Sequence, residues 1–220
     1  MKMLRHYWVA LLLVGVAFIV AGGLYGRLPD PVPTHWGLDG ETNGWTAKPL
    51  GVFLGPLVGL LLIALFIVLP QLSPRGFEMT PFQRVYPTVV AAIAGLMLYV
   101  TIFALVAASG AATPAPAYLM AGIGVFVAVV GNLFGKVTRN FFIGIRTPWT
   151  LASDQVWERT HRFAAPVFVL GGVLLAVASL SATSLMALVA ILVVTVLVPV
   201  VYSYIVWRRG ESNISGAPSS

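Results

Sequence analysis

Two groups of residues in this 220-residue chain have side chains suited to chemistry. The first is His35, Asp39 and Glu41, one imidazole and two carboxylates within seven residues. Such a set could hold a divalent cation, but it lacks a second histidine and matches no standard ligand spacing. Two other readings stand beside it. In one, Trp36 and Trp45 lie in a membrane interface while the acids and His35 bond to turn amides. In the other, His35, Trp36, Asp39, Glu41 and Trp45 form a recognition surface for a cationic or amphipathic partner. No metal and no cofactor is expected.

The second group lies between Gly131 and Phe163. Trp157 and His161 are four residues apart, on one face of a helix, with Arg159, Asp154 and Glu158 close in sequence. A polar-aromatic site could form there, but general acid-base catalysis needs a nucleophile or a substrate-activating partner. The chain has no HExxH, GxSxG or GxxxxGK[ST] pattern, and the absence of Cys removes thiolate ligands and cysteine nucleophiles. The expectation is that the protein is not an enzyme. Upstream, Asn132, Lys136 and Asn140 recur every four residues, which predicts a shared face on a continued fourth hydrophobic helix, with Arg139 beside it. The run from Phe141 to Ile145 is too short to span a membrane and carries cations on both sides, so it should lie at the interface or pack beneath a bundle. Thr147-Pro148-Trp149 should break the chain. Ser153 is suited to cap a new helix, and Glu158 with Arg162 forms an i, i+4 ion pair in the favourable order.

The elements that must position these groups are hydrophobic helices. The chain is 59% hydrophobic, 9% charged and has a mean hydropathy of +0.93, far from the roughly 25% charge of soluble domains. It reads as an all-α polytopic transmembrane bundle. Six stretches approach the roughly 20 apolar residues that a span needs: about 7–25, 50–72, 86–108, 118–134, 163–180 and 185–206. The first follows basic residues as a signal peptide does, but it is longer than a secretory hydrophobic region, so it reads as a retained helix. The spans hold almost no ionisable side chain, which argues against ion-coupled transport. Pro166 and Pro199 fall inside spans, where proline removes a helix hydrogen bond.

Eleven of the thirteen Lys and Arg residues lie on one side of this arrangement and only Arg27 and Lys48 on the other. By the positive-inside rule both termini and 131–163 should be cytoplasmic, and the Leu28–Trp45 loop extracytoplasmic. The basic balance orients the protein in a lipid bilayer, and no direct nucleic-acid partner is expected. Three organisational units follow: 1–72 with two helices and an ordered outer loop, 73–209 with four helices, and a Ser-, Gly- and Pro-rich tail, 210–220, expected to be disordered.

The segments GNLFGKVTRNFFIGIRTPWT and VWERTHRF resemble the SdpI family of bacterial toxin-immunity membrane proteins, and LPDPVPTHWGLDGETNGW resembles the uncharacterised domain that commonly precedes it. The resemblance covers nearly the whole chain. It carries motif positions over to Asn132, Gly135, Lys136, Asn140, Gly144, Arg146, Thr147, Pro148, Trp149, Thr150, Trp157, Thr160, His161 and Arg162. At Thr138-Arg139 the chain departs from an Arg-Pro-like pair. The resemblance implies a multi-pass protein of the bacterial plasma membrane that protects against a secreted, membrane-active peptide toxin and sequesters a cytoplasmic transcriptional repressor. Binding or signalling would then fall to Asn132, Lys136, Asn140, Arg146, Thr147, Pro148, Trp149, Trp157, His161 and Arg162. The readings that compete with it are a small membrane transporter, or a lipid- or peptide-handling membrane enzyme, metal-assisted at the His35 loop.

Overall fold

The computed structural model describes residues 4–37, 41–74, 83–110, 116–181 and 183–215. Asp39, two of the basic residues counted above, Lys2 and Arg75, and the end of the tail lie outside the described residues.

Among the described residues, six helices are long and apolar enough to cross a membrane. They are α1 (Trp8–Leu24), α2 (Lys48–Val68), α3 (Tyr86–Ala108), α4 (Pro116–Phe134), α6 (Asp154–Ser179) and α7 (Leu185–Ser215); a short α5 (Pro148–Ala152) precedes α6. Their large apolar side chains point outward, with Ile19, Leu61, Leu170 and Met186 all more than two-thirds exposed in the isolated chain. Several buried faces are lined mainly by smaller residues. On α1 the buried stripe is Ala10, Val14, Ala17 and Ala21. This distribution suits lipid, where apolar surface need not be hidden and small residues let helices approach closely.

Helices α1, α2 and α3 pack together, α4 packs along α6, and α7 covers α6. The α4–α6 contact is close because it is built on glycine: a Cβ on Gly172 would lie 2.4 Å from the Ala128 nitrogen, and one on Gly124 2.6 Å from the Ala176 nitrogen. A buried cluster joins the two halves, bringing Tyr7, Ala10 and Val14 of the first half together with Leu133, Val137 and Trp157 of the second.

Four expectations need correction. The bundle is not purely helical: β1 (Val32–Trp36) and β2 (Thr42–Thr46) form an antiparallel hairpin that rests against the start of α2. The fourth helix does not continue to Asn140; it ends at Phe134, where the Lys136 and Val137 amides bond three residues back and tighten the last turn. Thr147-Pro148 does not simply break the chain. Thr147 caps α5 with Pro148 in its first turn, and the Thr147 and Thr150 side chains satisfy each other's backbone N–H in a capping box. Ser153 then caps α6, its hydroxyl accepting from the Val156 amide at 3.3 Å. The Ser153-capped segment and the fifth span are one helix of 26 residues. Helix α7 reaches Ser215, inside the stretch read as a tail.

Candidate functional site

The polar segment between α4 and α6 folds into a cap over one end of the bundle. Asn140, fully buried, organises it. Its Nδ2 donates to the carbonyls of Thr138 and Ile143 at 2.9 Å each, and its Oδ1 accepts the amides of Phe142 and Ile143 at 2.9 and 2.7 Å. These bonds use the hydrogen-bonding capacity of the amide locally, which is how Asn competes with helix continuation. Trp157, 2% exposed, donates its Nε1–H to the Val137 carbonyl at 2.8 Å, taking an oxygen that a longer α4 would have used.

His161 is equally enclosed, at 1% exposure. The Ile145 amide donates to its Nε2 at 3.0 Å, and Nδ1 lies 2.9 Å from the Trp157 carbonyl. An acceptor at Nε2 and a donor at Nδ1 define the Nδ1–H tautomer, so both ring nitrogens are occupied. The indole of Trp157 stacks on one face of the imidazole, and the edge of Phe134 meets it at 5.6 Å. Gly144 passes over this pair with φ +118°; a Cβ there would come within 2.4 Å of His161 Nε2. The position therefore requires glycine both for its backbone conformation and for space. Thr150, fully buried, donates its hydroxyl to the Ile145 carbonyl at 2.8 Å and receives the Thr147 amide at 2.8 Å. Trp149 fastens α5 to α7, its Nε1–H donating to Ser203 at 2.7 Å while its ring stacks on Trp207.

The charged residues surround this interior. Arg139 donates to Asp154 at 2.5 Å and to the Leu151 carbonyl at 2.8 Å. Arg162 pairs with Glu158 at 2.5 Å, one turn apart, with both side chains exposed. Arg146 donates to the Phe141 carbonyl at 2.6 Å. Asn132 and Lys136 are exposed, and Pro148 is exposed at the start of α5. Between α4 and α6 lies a cleft of about 390 Å³, bordered by Phe134, Lys136, Arg139, Trp157, His161 and Arg162. Of the predicted residues, Asn140, Trp157, His161 and Thr150 are thus drawn together as internal supports. Asn132, Lys136, Arg146 and Arg162 remain on the surface. Two partners in the cap escaped sequence reasoning, Ser203 and the Val137 carbonyl. Ser203 offered one signal, a polar side chain inside an apolar span.

The second candidate surface is the hairpin. His35 is exposed and its Nδ1 meets the Asn43 side-chain oxygen; Gly44, its cross-strand neighbour, would place a Cβ 2.9 Å from the His35 Cβ. Trp45 is exposed, Trp36 half-buried, and Glu41 exposed, its carbonyl accepting the Gly37 amide at 2.8 Å. Among the described residues no His, Asp or Glu cluster has metal-binding geometry.

Six lipid-length helices, a hairpin at one end and a cross-bonded polar cap define a multi-pass helical membrane protein. Residues 136–203 match the SdpI/YfhL protein family, and residues 12–60 match a domain of unknown function, DUF1648. It is 28% identical to Immunity protein SdpI of Bacillus subtilis (strain 168) over 209 residues, covering 95% of this chain and 97% of that relative. No solved structure matches the chain.

Proposed function

We propose that this protein is a membrane immunity protein that protects its cell against a secreted, membrane-active peptide. The observation that carries the reading is the alignment with Immunity protein SdpI, which runs through hairpin and cap alike over 95% of the chain. In this reading the basic residues set both termini and the cap in the cytoplasm. The hairpin then faces outward and makes first contact through His35, Trp36, Asp39, Glu41 and Trp45. Trp45, 57% exposed, supplies the kind of rigid aromatic contact that anchors binding interfaces.

The cap acts on the inner side. Its interior bonds hold Lys136, Arg146 and Arg162 on a fixed scaffold, from which they present positive charge to a cytoplasmic partner, a transcriptional repressor in this reading. Electrostatic presentation of this kind favours rapid, salt-sensitive association. The test is survival of cells with and without this gene when challenged with a panel of membrane-active peptides. Protection against at least one peptide, lost on replacing Trp45 with Ala, supports the reading. Equal survival against every peptide overturns it.

A further inference from the structure

Helices α4 and α6 run antiparallel, Gly124 lying against Ala176 and Gly131 against Phe168. Beside their contact is a groove of about 520 Å³. Val125, Val129 and Asn132 line it from α4, at i, i+4 and i+7, and Val169, Val173 and Val177 line it from α6 at four-residue spacing. The valine part extends about 10 Å along α4 from Val125 to Asn132. Asn132 is an exposed amide at the end of an otherwise apolar stripe.

One turn beyond Asn132 stands Lys136, at the cleft bordered also by Arg162, and Arg162 precedes Val169 by seven residues on the same stripe of α6. The two acids of the cleft are already engaged, Asp154 by Arg139 and Glu158 by Arg162. Lys136 has no acidic partner among the described residues. Thr138 also lines the cleft, and its buried hydroxyl oxygen has no hydrogen-bond partner. The valine groove and the cleft thus follow one another along the α4–α6 pair, the groove ending at the Asn132 amide and the cleft carrying the Lys136 ammonium and the Thr138 hydroxyl, at the end of a span, where headgroups meet protein.

We propose that this groove and cleft hold one anionic phospholipid, with its phosphodiester at Lys136 and Asn132 and an acyl chain along the valines. A zwitterionic lipid fits less well, because both carboxylates that could receive its ammonium are already paired with arginine. The site does not depend on which leaflet the cap faces.

Native mass spectrometry of the full chain, in micelles containing equal phosphatidylglycerol and phosphatidylcholine with matched acyl chains, tests the assignment. The expected spectrum shows the monomer retaining phosphatidylglycerol in preference to phosphatidylcholine, with retention falling as salt rises. Lys136→Gln lowers the retained fraction about tenfold, the value of one charge-assisted bond. Arg159→Gln, which removes an exposed cation outside the cleft, leaves retention unchanged. Val173→Trp, which fills the groove, weakens both lipids. Glycerol phosphate at equal concentration fails to displace the lipid; if it displaces it fully, the cleft binds a bare anion and the acyl-chain assignment falls. Equal retention by the wild type and Lys136→Gln overturns the proposal, as does a lipid-free dimer, which would mean that a second copy covers the groove.

Discussion

The imidazole of His161 lies against the indole of Trp157 with ring centroids 4.1 Å apart and planes inclined by 21°, and both rings bond the cap's backbone. Trp157 holds the chain where it leaves α4, and His161 holds it where it returns towards α5. The pair is thus a brace between two ends of one polar segment. Removing the imidazole by His161→Ala leaves the buried Ile145 amide without an acceptor and opens a void under Gly144. We expect a loss of at least about 2 kcal/mol, the sum of an unsatisfied buried donor and a lost aromatic contact. His161→Gln, which can still offer an oxygen to Ile145, should lose less. Thermal denaturation of the purified protein in detergent, followed by near-ultraviolet circular dichroism, separates the two.

Gly144 gives a sharper form of the same test. Gly144→Ala forces a side chain into a left-handed backbone conformation and against His161 Nε2. The expected loss exceeds about 1 kcal/mol. In the double variant with His161→Ala the clash with the imidazole disappears while the tight approach to the Trp157 ring at 3.1 Å and the backbone part remain, so the two losses should sum to more than the double variant shows. A double-mutant cycle on denaturation midpoints measures that coupling. Strict additivity would mean that the imidazole clash contributes nothing to the cost of Gly144→Ala.

The helices were legible because each is a run of apolar residues near membrane length, and the Trp157–His161 brace because two side chains four apart share a helical face. Asn140 misled for the same reason. Its spacing from Asn132 and Lys136 imitates a helix, but its amide bonds four nearby backbone groups and Trp157 takes the Val137 carbonyl, so tertiary contacts end α4 at Phe134. The prolines and glycines of the hairpin announced an ordered loop. Its strands depend on cross-strand pairs such as Thr34 with Thr46, whose hydroxyls meet at 2.9 Å, and short-range patterns do not report them. The bond from Trp149 to Ser203 joins residues 54 apart and left no periodic trace.

Packing of α4 on α6 yields a prediction that is independent of the cap. Gly172→Ala would set a methyl group 2.4 Å from the Ala128 nitrogen and 2.5 Å from the Gly124 carbonyl oxygen, backbone atoms that cannot turn aside. The helices must separate, and the denaturation midpoint should fall clearly. Gly15→Ala on α1 meets nothing within 4 Å. It should be neutral or stabilising by up to about 1 kcal/mol through helix propensity. Similar losses from both substitutions would contradict the close α4–α6 contact.

The proposed orientation can be read directly because the chain contains no Cys. Ala47 lies exposed between the hairpin and α2, and Ala152 lies exposed at the end of α5. Three helices, α2, α3 and α4, separate the two positions, an odd number of crossings, so they must face opposite sides if each helix spans. With eleven of thirteen basic residues on the side of the cap, Ala152 should be inside. A membrane-impermeant maleimide should label Ala47→Cys in intact cells and Ala152→Cys only after lysis. The opposite pattern would invert the protein and assign first contact with an external peptide to the basic cap. Labelling of both in intact cells would mean that one of the three helices does not cross.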